Sequence, residues 1–453
     1  MAQRETFGSR FSIIMAMAGS AIGLGNIWRF PYTVGEGGGA AFIIVYLVST
    51  LLLTMPVFMA ESIIGRTAQA GTFGAMQKLA PGSKWKWMGF LTVITPLIIV
   101  SYYSVVGGWS FGYTLKAFGL SFNADSIDSI GGMFSRFTTS AWTPIVCHTV
   151  FLGSTCLIVL RGVKKGIEKF ASITMPLLFI LILIIMVYSI SLPGASAGLE
   201  YMLKPDFSKL DGKTIASAMG QSFFTLSLGT GSILTYASYV KKDENILISG
   251  LGTAGFDLLF AMIAGFAVMP AVFAAGIEPG AGPGLVFETL PYIFAKMGAD
   301  APWLSAAISI LFFVSILFAA LTSSISMIEV GVAYLVEEKK MTRGRSVLLL
   351  FLSCWALGVI CSLSFGPLAG VSVLGKTIFE FCDSLTSDYL MAFGGLLFIL
   401  FAGWKMSKAT VREELTCFGK SKLNVALFPL LYFLIRYVAP FGIIAIFITN
   451  LIW

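Results

Sequence analysis

Gly19-Ser20-Ala21-Ile22-Gly23-Leu24-Gly25-Asn26-Ile27-Trp28-Arg29-Phe30-Pro31-Tyr32 lies in a long apolar segment that begins near Phe11, yet it carries three glycines, an asparagine, an arginine and a proline. A helix facing lipid is not built this way. In hydrocarbon every backbone N–H and C=O needs a partner, so a glycine-rich break at membrane depth survives only where it is buried in protein or lines a polar cavity. The freed main chain is then available to a ligand. Glycine permits close approach, and the half-helix ends present a positive N-terminus to an anion and negative carbonyls to a cation. A proline-kinked helix with packing glycines is the plainer reading of the same residues.

The rest of the chain has the matching character. Its 453 residues are 57% hydrophobic and 12% charged, with mean hydropathy +0.88, which describes a polytopic membrane protein. Apolar runs long enough to cross ~30 Å of hydrocarbon number eleven, near 11–34, 40–65, 87–115, 141–160, 167–192, 214–239, 245–276, 303–336, 346–366, 376–404 and 423–452. With a cytoplasmic amino terminus, that terminus and the loops at 66–86, 161–169, 241–244, 337–345 and 405–422 hold 21 of the 30 Lys+Arg. The positive-inside rule supports this orientation and puts the carboxyl terminus outside. The net charge of +7 is therefore topological, and nucleic acid is not an expected partner. No cleavable signal is expected, because the first apolar segment is too long and of the wrong composition. The six cysteines show no metal spacing and His148 has no ligand partner nearby in sequence, so both read as packing residues. No nucleophile–base set is visible, so an enzyme is not expected.

A second interrupted segment, Gln221-Ser222-Phe223-Phe224-Thr225-Leu226-Ser227-Leu228-Gly229-Thr230-Gly231, falls in the sixth span, 206 residues beyond Gly23-Leu24-Gly25 when counted from Gly23 to Gly229. Paired interrupted helices in corresponding halves point to a transporter of inverted repeats with its site at the midplane. The domains expected are 1–192 (spans 1–5), 193–410 (spans 6–10, inverted) and 411–453 (a cytoplasmic loop and an eleventh span). Asp257, deep in the seventh span, is a functional residue by default. Ala319-Ala320-Leu321-Thr322-Ser323-Ser324 clusters three hydroxyls, which could equally bond back to their own helix. Glu61 and Glu329 are expected to be paired internally.

The first segment, read from Ala21 to Tyr32, resembles the first-helix signature of the neurotransmitter:sodium symporter family, including its bacterial LeuT-like amino-acid transporters. Gln221–Gly231 with Tyr236-Ala237-Ser238-Tyr239 resembles the sixth helix, and Ala319–Ser324 the eighth. The resemblance implies an all-α LeuT fold, five plus five helices with helices 1 and 6 broken, and two sodium sites. One would use Ala21, Asn26, Thr225, Asp257 and Ser227; the other Gly19, Ile22, Ala319, Thr322 and Ser323. All offer hard oxygen ligands, as a small cation requires. The substrate would lie among Ala21, Gly23, Leu24, Gly25, Ile99, Tyr103, Phe224, Ser227, Thr230, Ser323 and Met327.

Family members that move monoamines carry aspartate where this chain has Gly23, so the resemblance implies an amino acid. Thr230 in place of a bulkier residue, beside an adaptable Met327, implies a large or aromatic side chain. LeuT-like members place a glutamate where this chain has Ala261; Asp257 would supply that charge here, implying chloride independence. The outer gate would be Arg29 and Asp383 supported by Gln221, and the inner gate Arg4 and Glu337 near Tyr239. Gly166 and Pro176 match a spacing that lets the fifth helix unwind. The expectation is thus a sodium:amino-acid symporter of the inner (plasma) membrane. Its rivals are a symporter of a small or betaine-like zwitterion and a non-transporting sensor.

Overall fold

The computed structural model describes residues 5–119, 122, 127–277, 286–297 and 302–452. Arg4, expected in the inner gate, lies outside them. Apolar length sets the architecture: among the described residues nine helices are long and apolar enough to cross a bilayer, and a bent pair makes a tenth. The pair is α1 (Arg10–Ala21) and α2 (Gly25–Glu36), inclined by 56°. There follow α3 (Ala40–Ala68), α4 (Trp85–Phe118), α5 (Thr143–Leu160) and α6 (Val163–Ile190). The expected sixth span is split into α7 (Gly212–Thr225) and α8 (Ser232–Ala237), each too short to cross alone. Then come α9 (Ile246–Ala274), α10 (Pro302–Glu337), α11 (Arg343–Leu363) and α12 (Ile378–Lys405). A short helix, α13 (Lys408–Leu415), precedes α14 (Lys422–Thr449). Between α11 and α12 a two-residue turn, Leu374-Gly375, joins β1 (Ser372–Val373) and β2 (Lys376–Thr377), antiparallel with Ser372 opposite Thr377.

Helix α6 shows how lipid and protein divide one helix. Ile173, Leu177, Ile180, Ile184 and Val187 recur at three- and four-residue steps and are exposed. Leu178, Leu181, Ile182 and Ile185, on the opposite face, are buried. Two apolar faces are what a helix between lipid and core requires. Its first turn, Val163–Glu168, is widened to a π-turn. Gly166 there has room for nothing larger, since a Cβ would lie 2.2 Å from the Ile158 carbonyl oxygen.

The long helices α4 and α10 pack along each other, with α5 and α11 against α4 and α9 against α6. The breaks in the two broken helices are covered by protein: Ala21, Ile22 and Leu24 of the first and Leu226 and Leu228 of the second are buried.

Candidate functional site

The first break begins where α1 ends at Ala21 and Ile22 turns to extended backbone. Two of the N–H groups freed there find side-chain partners. Gly23 N donates to Asn26 Oδ1 at 3.3 Å, and Leu24 N to the Tyr103 hydroxyl at 3.1 Å. The freed carbonyls face α10, where the Ser323 hydroxyl lies 3.5 Å from Gly19 O, 3.1 Å from Ser20 O and 3.3 Å from Ile22 O. Gly23 cannot be larger without moving its neighbours, since a Cβ would fall 2.4 Å from Ser323 Oγ and 2.9 Å from the Tyr103 hydroxyl.

The second break is held by a carboxylate. Ser227, Gly229 and Gly231 all take positive φ, 52°, 78° and 73°, which costs a residue such as Ser227 backbone energy and persists only where the surroundings enforce it. Glu61, fully buried in α3, supplies the enforcement: its two oxygens accept from Gly229 N at 2.7 Å and Leu234 N at 3.3 Å. Its expected internal partner is thus main chain rather than a cation. Ser227 Oγ donates to Ser20 O at 2.8 Å, tying one break to the other. The Thr230 hydroxyl is committed to Ser227 O at 2.7 Å, which leaves its methyl group for the cavity.

Between the breaks lies a cavity of about 30 Å³. Its lining contains all eleven residues expected around a substrate, together with Thr225 and Met391. Met391 had no signal of its own. Gly394 and Gly395, three and four residues on, are the trace it left: a Cβ at Gly394 would meet Gly229 O at 2.3 Å, and one at Gly395 the Phe223 ring at 2.3 Å. Side-chain-free contact lets α12 press Met391 against the break.

Two oxygen clusters flank the cavity. In the first, Asp257 is fully buried and accepts from Asn26 Nδ2 at 2.8 Å, while its Oδ2 has no hydrogen-bond partner among the described residues. A buried carboxylate oxygen without a partner is costly, and a cation is what would satisfy it. Thr225 lies nearby, its hydroxyl within reach of Gln221 O and the Tyr46 hydroxyl. The second cluster is the carbonyl set around Ser323, joined by Thr322 Oγ1, which donates to Ala319 O at 2.9 Å. Both donor sets are hard oxygens of the kind sodium takes.

The outer gate differs from expectation. Arg29 and Asp383 line the same cavity of about 370 Å³, outside Tyr103 and Phe224, but form no ion pair. The Arg29 guanidinium lies instead 4.6 Å over the Phe224 ring, and Asp383 accepts from Ser387 at 3.0 Å. Both side chains are only partly buried, and an ion pair between partly exposed charges gains little, so nothing compels them to pair. Gln221 does not support this pair; its Nε2 donates to Gly25 O at 3.1 Å and braces α7 to α2. Burial raises the pKa of Glu288, which also lines the vestibule.

At the opposite end Glu337 accepts from Gly71 N at 2.8 Å. Tyr239 donates to Glu329 at 2.8 Å, and Arg343 grips the same carboxylate with both terminal nitrogens, at 3.1 and 2.5 Å. Glu329 was expected to be paired; Arg343 is the partner. Phe7 N donates to Tyr239 O at 3.1 Å, and its ring stands edge-on to Tyr236 and Tyr239. His148 and all six cysteines are buried.

The model of the sodium:neurotransmitter symporter family matches residues 4–129 and 121–453. An uncharacterized sodium-dependent transporter of Bacillus subtilis, YhdH, is 37% identical, over 98% of this chain and 97% of its own. A second, from Haemophilus influenzae, is 33% identical, over 99% and 98%. Among solved structures, MhsT in complex with L-phenylalanine superposes with a TM-score of 0.90 at 39% identity, over 99% of this chain and 100% of its own. The architecture described above, a helical membrane protein with broken first and sixth spans, is the LeuT fold that MhsT shares.

Proposed function

The chain belongs to the sodium:neurotransmitter symporter family, whose members are sodium-dependent membrane transporters rather than enzymes, and from that premise we propose that it imports neutral hydrophobic or aromatic L-amino acids together with sodium. The observation that carries the reading is the meeting of both helix breaks at one cavity, flanked by two oxygen clusters, one holding a carboxylate oxygen with no hydrogen-bond partner among the described residues. One sodium would be carried by Ala21, Asn26, Thr225, Ser227 and Asp257, the other by Gly19, Ile22, Ala319, Thr322 and Ser323. The substrate carboxylate would meet the Gly25 amide region and the Tyr103 hydroxyl. Its amino group would meet carbonyls of the two breaks. Its side chain would extend toward Ile99, Thr230, Met327 and Met391. Because ions and substrate share this shell, each raises the affinity for the others, which is the coupling symport needs.

Asp257 supplies the negative charge of the first cluster, so transport needs no chloride. Residues 1–192 and 193–410 act as the two repeats that alternate access, with the amino terminus in the cytoplasm and residues 411–453 as an addition. The membrane is the plasma membrane. The relative solved with L-phenylalanine supports the aromatic preference. The small cavity, about 30 Å³, favours a second reading, a small zwitterion such as glycine or a betaine.

Uptake into proteoliposomes separates the two. Tryptophan, leucine and glycine are each offered under an inward sodium gradient and again with potassium in place of sodium. We expect sodium-dependent accumulation of tryptophan and leucine without chloride, and a Thr230→Phe variant that loses tryptophan while keeping the smaller substrate. Accumulation of glycine alone would favour the second reading. Saturable binding with no accumulation would mark a sensor and overturn both.

A further inference from the structure

A groove remote from the transport cavity lies between α13 and α14, with a volume of about 960 Å³. Three cations line it, each laid over an aromatic ring. Lys408 Nζ is 5.5 Å from the Tyr432 ring and Arg412 is 5.9 Å from Phe428. Arg436 lies 4.6 Å over Trp404 and 5.8 Å from both Tyr432 and Tyr437. None of the three is in an ion pair among the described residues. Arg436 spends one donor on the Tyr432 hydroxyl at 3.0 Å, and its buried Nε has no partner among the described residues. Glu413 is the acid in the lining, so positive charge is in excess. Cations on a solvated edge extend into water. These are held down on rings, with donors left over.

Depth in the bilayer follows from Trp404, in the last turn of α12, whose indole N–H donates to Arg436 O at 3.0 Å. Indole rings settle at the headgroup level, so Arg436 lies there too. The adjoining wall is apolar and open, with Phe433 53% and Leu430 56% exposed. We infer that this groove binds the headgroup phosphate of an anionic phospholipid, in the leaflet that faces the basic loops. The guanidinium fork suits a phosphate, the excess charge selects against zwitterionic lipid, and the apolar wall receives an acyl chain, which a free anion would leave uncovered.

The test uses the full chain, purified and delipidated in a neutral detergent. Thermal unfolding is followed on adding phosphatidylglycerol, phosphatidylcholine or inorganic phosphate, and retained lipid is counted by native mass spectrometry. We expect phosphatidylglycerol alone to raise the unfolding temperature. Lys408→Gln/Arg412→Gln should weaken its retention by about fivefold per cation removed, and Arg436→Gln should weaken it further. The double variant changes exposed side chains, so it reads out binding even if Arg436→Gln fails to fold. Equal protection by phosphatidylcholine, equal protection by inorganic phosphate, or undiminished retention in the double variant would each overturn the assignment. Transport is not needed for any of these readouts.

Discussion

Asp257 has one oxygen bonded to Asn26 and another with no hydrogen-bond partner among the described residues, in the interior of a membrane protein. If that oxygen serves sodium, Asp257→Asn removes the charge and keeps the shape. Sodium affinity in a scintillation or fluorescence titration should fall by ~100-fold or more, the scale of breaking a buried charge pair. Full sodium-dependent uptake by this variant in chloride-free buffer would sink the assignment. Asp257 was legible because an ionisable residue in an apolar span announces itself. Met391 was not, because a methionine in an apolar run carries no signal and only the fold brings it to Gly229. The partner of Glu61 was hidden for a different reason: main-chain amides have no letter in a sequence.

Helix breaks are a property of elements, and the second one rests on backbone geometry as well as on the Glu61 carboxylate that holds it. Gly229 takes φ of 78°, and a Cβ there would sit 1.8 Å from Met391 O. Gly229→Ala should cost about 1–2 kcal/mol for the left-handed conformation alone, with further loss as α12 is pushed aside. Gly220→Ala in α7, where nothing lies within 4 Å of the added Cβ, should be neutral or slightly stabilising. Paired unfolding scans would check both; equal effects would show that the break is not what sets the cost. The long spans were readable to within a few residues because hydrophobic length is a strong signal. The division into α7 and α8 was readable from Gly229-Thr230-Gly231. Helix α13 was not anticipated: eight mostly polar residues look like any loop until they pack.

Across the whole molecule the two ends differ. One end has an open vestibule in which Arg29 and Asp383 stay apart. The other is closed by Arg343, Glu329, Tyr239 and Phe7, joining α11, α10, the segment after α8 and the segment before α1. Arg343→Gln should loosen that closure. Hydrogen exchange across 232–239 is expected to quicken by about tenfold, the equivalent of ~1.4 kcal/mol, while exchange in the middle of α4 stays unchanged. Unaltered exchange at 232–239 would mean the network does not hold this end shut. Gate pairing was the least legible part of the site, because an ion pair across a hydrated cavity depends on how far apart the walls stand.

Ser323 belongs both to the carbonyl cluster and to the lining of the central cavity. Its hydroxyl lies 3.1–3.5 Å from three carbonyls of the first break, to which it can donate. A cation settling among those carbonyls would meet the hydroxyl's lone pairs and turn its O–H outward. The same rotation would present a new donor to the cavity. One torsion angle would then act as a reporter between the two compartments, telling the pocket that the ion has arrived without any helix having moved.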